Sequence, residues 1–329
     1  MSESYLTYRK SNEALPIARD GNASEASFKA HESGRNKTIY VSNKNEEDAD
    51  EELLNYIRSV DIMGMINEST FATLKPREKE KLRNEIVLHL TKQIPPIDDA
   101  KRELYDSIIS GVRTGSLKKQ IISNNKLMPI PSDRTGRSVF YVSGGSGSGK
   151  SYFMSRLARQ YNIQYPERSV FLFSFVEHDA NYDDIENLHK IPLNEQIMEQ
   201  EIDWEEFRDS LMLFDDYDST PNKKLKAWIE FMLNHLLVQG RHLRASIAMT
   251  SHTNTDYKRT RLILAESTHL VIYPRVSSKK SLEYLLKNYT SLNNEEIREV
   301  FRQGRSSRWV CIHKSPPQFI LTENSVSLI

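Results

Sequence analysis

The chain has 329 residues, with 45 Lys and Arg against 45 Asp and Glu, 38% hydrophobic residues and one cysteine. This length suffices for one large or two moderate domains, and a single cysteine excludes a disulfide framework and favours a reducing compartment. No apolar run approaches the roughly 18 residues of a membrane span, and the first residues lack a signal-peptide layout, so the sequence indicates an intracellular protein without a membrane partner.

The first part of the chain divides by composition. Residues 1–50 are polar, and the charged run Asn43–Glu52 is typical of a solvated segment, so we expect this N-terminal segment to be flexible. Residues 51–127 predict a small α-helical region without a chemical signature. The apolar residues at helical spacing are Leu53, Leu54, Ile57, Val60, Leu82, Ile86, Leu88, Leu90, Leu104, Ile108 and Ile109.

Residues 128–329 predict an α/β domain in which strands alternate with helices. Such alternation favours a central parallel, doubly wound sheet flanked by helices. The predicted strands are Val139–Val142, Ser169–Phe175, Leu211–Phe214, Ala245–Thr250 and His269–Tyr273. The predicted helices are Tyr152–Tyr161, Asn222–Val238, Ser281–Tyr289 and Asn294–Arg302, and a hairpin of Trp309–Ile312 with Gln318–Leu321 is expected to close the domain.

The most informative segment lies between the first strand and its helix. It has the Walker A pattern of a phosphate-binding P-loop: a glycine, four residues, then Gly-Lys-Ser. The backbone N–H groups and the helix N-terminus would hold the phosphates of ATP, Lys150 would reach the β- and γ-phosphates, and the Ser151 hydroxyl would ligate Mg²⁺. A flexible Gly/Ser turn is the alternative interpretation. The expected nucleotide-binding residues are Gly144, Gly145, Ser146, Gly147, Ser148, Gly149, Lys150, Ser151 and Tyr152.

Two later strand ends complete a candidate catalytic set. Asp215 and Asp216 follow four apolar residues in the Walker B form, so Asp215 would hold Mg²⁺ with Ser151, and Asp216 would orient or deprotonate the attacking water. The next strand ends at Ser251 and His252, either of which could sense the γ-phosphate. The simpler interpretations are an acidic turn for the aspartates and a strand cap for the polar tip.

One full strand separates the P-loop from the aspartates, and another follows them. This order predicts a P-loop NTPase of the additional-strand (ASCE) type, in which the fourth strand inserts between the first and the third. Arg241 ends the preceding helix and is a candidate arginine finger for a neighbouring subunit, with Arg308 as a second candidate. An arginine at a helix C-terminus can also serve only the last carbonyls and the helix dipole.

Zero net charge hides an asymmetry along the chain. From Pro221 onward there are seventeen Lys and Arg against eight Asp and Glu, whereas Asn43–Glu52 and Glu177–Asp218 are acidic. A basic C-terminal third is compatible with a polyanionic partner, although it can also be an ordinary solvated surface.

Several blocks resemble the genome-packaging ATPases of nucleocytoplasmic large DNA viruses, which belong to the FtsK–HerA superfamily together with virophage and Polinton relatives. The blocks are Leu213–Asp216, Gly240–His252, Tyr273–Arg275, Tyr284–Tyr289 and Ser307–Lys314. Many FtsK–HerA members have Gln at the fourth strand tip and Glu after the Walker B aspartate, whereas this chain has Ser251 and Asp216.

The resemblance implies a homo-oligomeric ring that hydrolyses ATP with Mg²⁺ to translocate double-stranded DNA into a capsid. It further implies capsid or portal-like partners and a location in the host cytoplasm, in a viral factory, or in the virion. A packaging motor must grip any sequence, so its DNA contacts should be backbone charge. The candidate loops for DNA contact are Lys258–Arg261 and Lys279–Lys280.

Two other classes of function remain open from the sequence. A small-molecule phosphotransferase such as a nucleoside kinase usually places its Walker B strand beside the P-loop strand, so the predicted strand order disfavours it. A structural component that uses ATP only for assembly is disfavoured by the intact set of Lys150, Asp215 and Asp216.

Overall fold

A computed structural model describes residues 4–7, 15–20, 38–43, 61–92, 94–113, 119–121, 127–132, 137–256 and 259–329. The chain divides into two compact units. The N-terminal unit comprises residues 1–15, 39–123 and 325–328, and the core unit comprises residues 16–38, 124–324 and 329. Among the described residues, no helix has the length and apolar character that crossing a membrane requires.

The N-terminal unit contains strands and helices. Its strands are β1 (Ser4–Thr7), β3 (Ile39–Asn43), β4 (Lys119–Ile121) and β14 (Ser325–Leu328), and its helices are α1 (Ile62–Glu68), α2 (Pro76–Lys92) and α3 (Asp99–Arg113). Strands β1 and β3 pair antiparallel, as do β4 and β14. The helices pack on one another through a buried cluster of Ile62, Ile66, Leu82, Ile86, Leu90, Leu104, Tyr105 and Ile108.

Residues 51–127 contain helices α1 to α3, but the helical prediction is wrong for Lys119–Ile121, which form strand β4. Leu53, Leu54, Ile57 and Val60 lie outside the described residues. The prediction of a flexible segment over residues 1–50 is wrong for β1, β3 and a further strand, β2 (Leu15–Asp20). Each is short: Leu6 is buried in β1, Ile17 and Ala18 in β2, and Ile39 and Val41 in β3. One or two such apolar residues in a strand of four to six add little to the hydrophobic content of a segment, so composition alone did not reveal these strands.

The core unit is built on a sheet of parallel strands with an antiparallel edge. In chain order its strands are β6 (Val139–Ser143), β7 (Val170–Ser174), β8 (Leu188–Pro192), β9 (Leu211–Phe214), β10 (Ser246–Ser251), β11 (His269–Ile272), β12 (Val310–His313) and β13 (Phe319–Thr322). Their spatial order is β13-β12-β11-β6-β10-β9-β7-β8. The pairs from β11 to β8 are parallel, and β12 and β13 are antiparallel. Separately, β2 pairs antiparallel with β5 (Leu127–Pro129).

This order confirms the additional-strand α/β fold, because β10 lies between the P-loop strand β6 and the Walker B strand β9. All five predicted parallel strands and the closing hairpin are present. Strand β8 was not predicted, because its outward-facing residues are polar and the strand reads as a loop.

Helices cover both faces of the sheet. They are α4 (Lys150–Gln164), α5 (Lys223–Leu243), α6 (Arg261–Glu266), α7 (Lys279–Tyr289) and α8 (Asn294–Gln303). Helices α5 to α8 share one buried cluster with alternate strand residues such as Val139 and Tyr141. Phe140 and Val142 point to the other face, where α4 buries Phe153 and Leu157. The sheet therefore separates the P-loop helix from the layer formed by α5 to α8.

Candidate active site

The P-loop connects β6 to α4 through a backbone that requires glycine. Gly147 and Gly149 have φ of +72° and +102°, values that favour glycine. A Cβ at Gly144 would lie 2.8 Å from both the Ser148 Oγ and the Tyr273 ring. The loop is held at its start by the Gly144 N–H, which donates to the Ser251 carbonyl over 3.1 Å. The conformation of this loop therefore depends on glycine at positions 144, 147 and 149.

The middle of the loop presents its polar groups outward. Gly145, Ser146 and Gly147 are exposed. Their N–H groups, and that of Gly149, donate to no other backbone group of the described residues. The Ser148 Oγ is buried and has no hydrogen-bond partner in the described part of the chain. Free donors facing one concavity at a helix N-terminus are what a chain of phosphates would satisfy.

Lys150 is the first residue of α4 and is buried. Its ammonium lies 3.5 Å from Asp216 Oδ1, 3.5 Å from His252 Nδ1 and 3.4 Å from the Gly145 carbonyl oxygen. These are loose contacts with a carboxylate on one side and the loop on the other. The ammonium is therefore positioned to exchange part of its contact with Asp216 for phosphate oxygens.

The proposed metal ligands lie together. The Ser151 hydroxyl donates to Asp215 Oδ1 over 3.3 Å, and the Thr250 hydroxyl lies 2.8 Å from the same oxygen. Burial raises the pKa of the Asp215 carboxyl; the Thr250 hydrogen bond opposes that shift and the charge of Asp216 adds to it. A buried carboxylate beside a hydroxyl, short of positive charge, is a donor pair that suits Mg²⁺.

Thr250 is a site residue that the sequence analysis missed. Its Oγ1 accepts the Asp216 N–H over 2.6 Å and lies 3.2 Å from Asp216 Oδ1, in addition to its contact with Asp215. Thr250 therefore fixes both aspartates from the neighbouring strand. A polar residue inside the otherwise apolar β10, directly before the predicted sensor, was the available signal.

Asp216 and His252 face each other at the mouth of the site. Asp216 has a φ of +47°, a left-handed conformation that turns its carboxylate out of the strand direction. His252 Nε2 lies 3.3 Å from Asp216 Oδ2, and both side chains are 37% exposed. The pair is thus accessible to solvent water, unlike Asp215.

Ser251 points elsewhere. Its side chain is fully buried, and its hydroxyl donates to Asp218 Oδ2 over 2.6 Å. Of the two predicted sensors at this strand tip, His252 is the one that contacts Lys150 and Asp216.

The two candidate arginines lie at opposite ends of the sheet. Arg308 borders its own P-loop: a Cβ at Gly149 would lie 3.5 Å from Arg308 Nη1, and its guanidinium is 5.8 Å from the Tyr152 ring centre. Arg241 is exposed near the end of α5, before β10 begins. Six residues of β10 then span about 17 Å before the site is reached. Arg241 cannot serve the P-loop of its own chain.

Tyr152 follows Ser151 in the first turn of α4. Its hydroxyl accepts a hydrogen bond from Arg156 over 2.9 Å, and the guanidinium groups of Arg156 and Arg308 lie 5.5 Å and 5.8 Å from the ring centre. A second tyrosine was not predicted: the Tyr273 hydroxyl donates to the Gly149 carbonyl over 3.1 Å. Tyr273 is fully buried and ties β11 to the start of α4.

The candidate DNA loops are only partly described. Lys258 lies outside the described residues, Arg259 is 3.9 Å from Glu230, and Arg261 is exposed. Lys279 pairs with Glu283 over 3.7 Å, whereas Lys280 is exposed and has no ion pair within the described residues.

Comparison with other proteins finds a relative in a virophage. The chain is 31% identical to "Uncharacterized protein V3" of Sputnik virophage over 211 residues, which are 64% of this chain and 84% of that protein. No family model matches.

Among solved structures, the chain is similar to B204, the DNA-packaging ATPase from Sulfolobus Turreted Icosahedral Virus. That match has a TM-score of 0.39 and 11% identity over 58% of this chain and 96% of that one. The pCW3 conjugation coupling protein TcpA matches with a TM-score of 0.34 and 13% identity over 69% of this chain and 81% of that one. Matches at this level establish no function.

Proposed function

This chain belongs to the same protein family as the V3 protein of Sputnik virophage, and we propose that it is an ATPase motor that moves double-stranded DNA during viral genome packaging. The single observation that carries the ATPase assignment is the 3.3 Å contact between Ser151 Oγ and Asp215 Oδ1. It joins the P-loop helix to the Walker B strand at the point where a nucleotide-bound metal would lie.

Each residue of the site has a distinct role in this proposal. The loop N–H groups, Lys150 and Arg308 hold the phosphates, and Ser151 with Asp215 holds the metal. Bound Mg²⁺ would supply neutralisation of the phosphate charge. Asp216, which is half-buried and hydrogen-bonded to Thr250, orients the attacking water and accepts its proton.

His252 is the better candidate for the γ-phosphate sensor. Its ring lies within 3.5 Å of both Lys150 and Asp216, so a change at either residue is transmitted to the tip of β10. The Ser251 hydroxyl is engaged with Asp218 instead. Arg241 would act on the site of a neighbouring subunit, because its distance from its own P-loop excludes action within one chain.

The DNA-packaging part of the proposal has separate support. The blocks Gly240–His252 and Ser307–Lys314 resemble those of packaging ATPases, and the residues from Pro221 onward carry an excess of positive charge. The relative belongs to a virophage, which is compatible with a role in filling a capsid. Capsid or portal-like proteins would be the partners, in the host cytoplasm or the virion.

The strand order weighs against a nucleoside kinase. In this chain β10 separates β6 from β9, and its tip supplies Thr250 and His252 to the site. An added strand that contributes polar groups is suited to a hydrolytic site with a sensor. Phosphate transfer from ATP to a nucleoside by the purified protein would favour the kinase instead.

The assignment is tested by ATP binding and phosphate release with three variants. Lys150→Ala should lose binding, since it removes a charged phosphate donor, and hydrolysis should fall about 100-fold or more. Asp216→Asn should bind ATP and fail to hydrolyse it, with a loss of about 10² to 10⁴.

Lys224→Ala is the matched control, because Lys224 is exposed on α5 and has no ion pair among the described residues. Nucleotide binding without phosphate release by the assembled native protein would point to a structural role for ATP. Unchanged hydrolysis in Lys150→Ala would refute the site.

A further inference from the structure

Helices α7 and α8 enclose a cleft of about 520 Å³. Five cations line it, namely Lys279, Lys287, Arg298, Arg302 and Arg305. The only carboxylate in the lining is Glu283, which pairs with Lys279, while Arg302 pairs with Glu299. Within the described residues, Lys287, Arg298 and Arg305 form no ion pair. This basic cleft therefore has an excess of uncompensated positive charge.

The cleft also has apolar surface. Ile297 is buried and Phe301 is partly buried in its wall, and the Lys279 ammonium lies 5.7 Å from the Phe301 ring centre. A phosphate backbone would use only the charges, whereas a protein side chain can use both the charges and the apolar wall. An apolar centre with a charged rim is typical of a protein–protein interface.

The complementary surface occurs on the same chain. Glu199, Glu201, Asp203 and Glu206 are exposed and form no ion pair in the described part of the chain. They surround Trp204, whose ring lies 6.2 Å from that of Phe231 on α5. Phe231 is 56% exposed. We call this surface the acidic flank: carboxylates around partly exposed aromatic rings.

The basic cleft and the acidic flank lie at opposite ends of one helical layer. Along the chain the acidic flank follows β8, and the adjoining Phe207 packs on Phe171 of β7, which is next to the edge strand β8. The helices that form the basic cleft follow β11 in the chain and precede β12. Four strand spacings separate β7 from β11, which is about 19 Å. Salt screens charges over about 8 Å at physiological ionic strength, so the two surfaces do not neutralise each other within a chain.

We propose that the basic cleft of one copy receives the acidic flank of the next copy, and that this contact is the lateral interface of the oligomer. Two different surfaces at opposite ends of a subunit form a head-to-tail contact, which closes into a ring when the rotation allows. This inference rests on the proposed oligomeric motor. Arg305 is three residues before Arg308, so the interface would adjoin the nucleotide site.

The test is a set of charge-swap variants of the full-length protein. Sedimentation velocity measures the mass of each variant over a concentration series. The cleft variant is Lys287→Glu with Arg298→Glu, and the flank variant is Glu199→Lys with Glu206→Lys. Each should raise the assembly midpoint about tenfold or more, equivalent to about 1.4 kcal/mol. The fourfold variant carries both reversals, so its surfaces are again complementary, and it should recover assembly.

Lys81→Glu and Glu167→Lys are matched controls on exposed residues outside both surfaces and should assemble like the native protein. Recovery of assembly in the fourfold variant cannot arise from misfolding. Native mass in both double variants, or no recovery in the fourfold variant, would overturn the interface. The interface would also be overturned if the cleft variant kept the native assembly mass but lost binding to duplex DNA, because the cleft would then be a DNA site.

ATP binding is measured on the same samples. If the native protein and the fourfold variant assemble, the two double variants do not, and the native protein binds no ATP, the proposed function is contradicted and the interface is not.

Discussion

At the P-loop end of the core sheet, Lys150, Asp216 and His252 lie within 3.5 Å of one another with no fully committed partner. At the opposite end, Arg137 is buried and donates from both terminal nitrogens to the Leu236 and Leu237 carbonyls. Four residues beyond Leu237, Arg241 is exposed. The first end holds charges in loose, exchangeable contacts, whereas the second buries one arginine against helix carbonyls and leaves the other exposed to solvent.

The difference between the two ends follows from how firmly the contacts of each charged group hold it in place. Burial lowers the pKa of Arg137 to about 10, and the guanidinium remains charged because helix carbonyls and Glu266 compensate for the lost water. Gly240 has no side chain, and a Cβ there would lie 2.5 Å from Arg137 Nη1. The glycine thus admits the guanidinium beside the end of α5 and fixes the backbone that carries Arg241.

The largest expected effect is the loss of Arg241. Arg241→Ala should bind ATP normally and lose about 10³-fold or more in hydrolysis, the usual worth of an arginine finger. Mixing it with Lys150→Ala should restore part of the activity, since some sites would combine an intact P-loop with an intact finger from the neighbour.

Arg308→Ala is the matched comparison for that mixing experiment. Arg308 lies beside its own P-loop, so mixing with Lys150→Ala should give no recovery. Recovery with Arg308→Ala and none with Arg241→Ala would reverse the two assignments.

The next effect is on stability. Arg137→Met should lower the free energy of unfolding by about 2 to 4 kcal/mol, because two charged hydrogen bonds to helix carbonyls disappear. Thermal unfolding measures this directly. Arg241→Ala, whose side chain is exposed, should melt like the native protein. Equal melting temperatures for all three proteins would show that Arg137 is not the structural member of the pair.

The smallest effect concerns Asp215. Its pKa is raised in the fold, so the ionised carboxylate disfavours the folded state above that pKa, and the penalty disappears as the pH falls and the group is protonated. Asp215→Asn should therefore raise the melting temperature of the metal-free protein at pH 7 by about 2 °C, with a smaller difference at lower pH.

The same variant should lose the stabilisation that Mg²⁺ with ATP gives the native protein. If the Asp215→Asn protein melts below the native one at pH 7, yet still responds to Mg²⁺ with ATP, the metal-ligand role is contradicted.

Much of the P-loop end could be predicted, since motifs tie residue type to position. Gly144 to Ser151 and Asp215 with Asp216 follow from local patterns, and the order of strands along the chain indicated β10 between β6 and β9. The contacts of Thr250 and Tyr273 could not be predicted, because they join residues up to 124 positions apart and depend on strand register. The contact of Ser251 with Asp218 and the position of Arg308 beside the P-loop could not be predicted for the same reason. Short strands such as β1, β3 and β8 lack a strong local signal.

The most direct test of the motor is phosphate release by the size-fractionated native oligomer, at low salt, with and without duplex DNA of several lengths. Asp216→Asn is the background control. We expect DNA to stimulate release irrespective of sequence, with a stimulation that weakens as salt rises. Release that is unaffected by DNA at every length, in an oligomer that hydrolyses ATP, would contradict the assignment as a DNA motor.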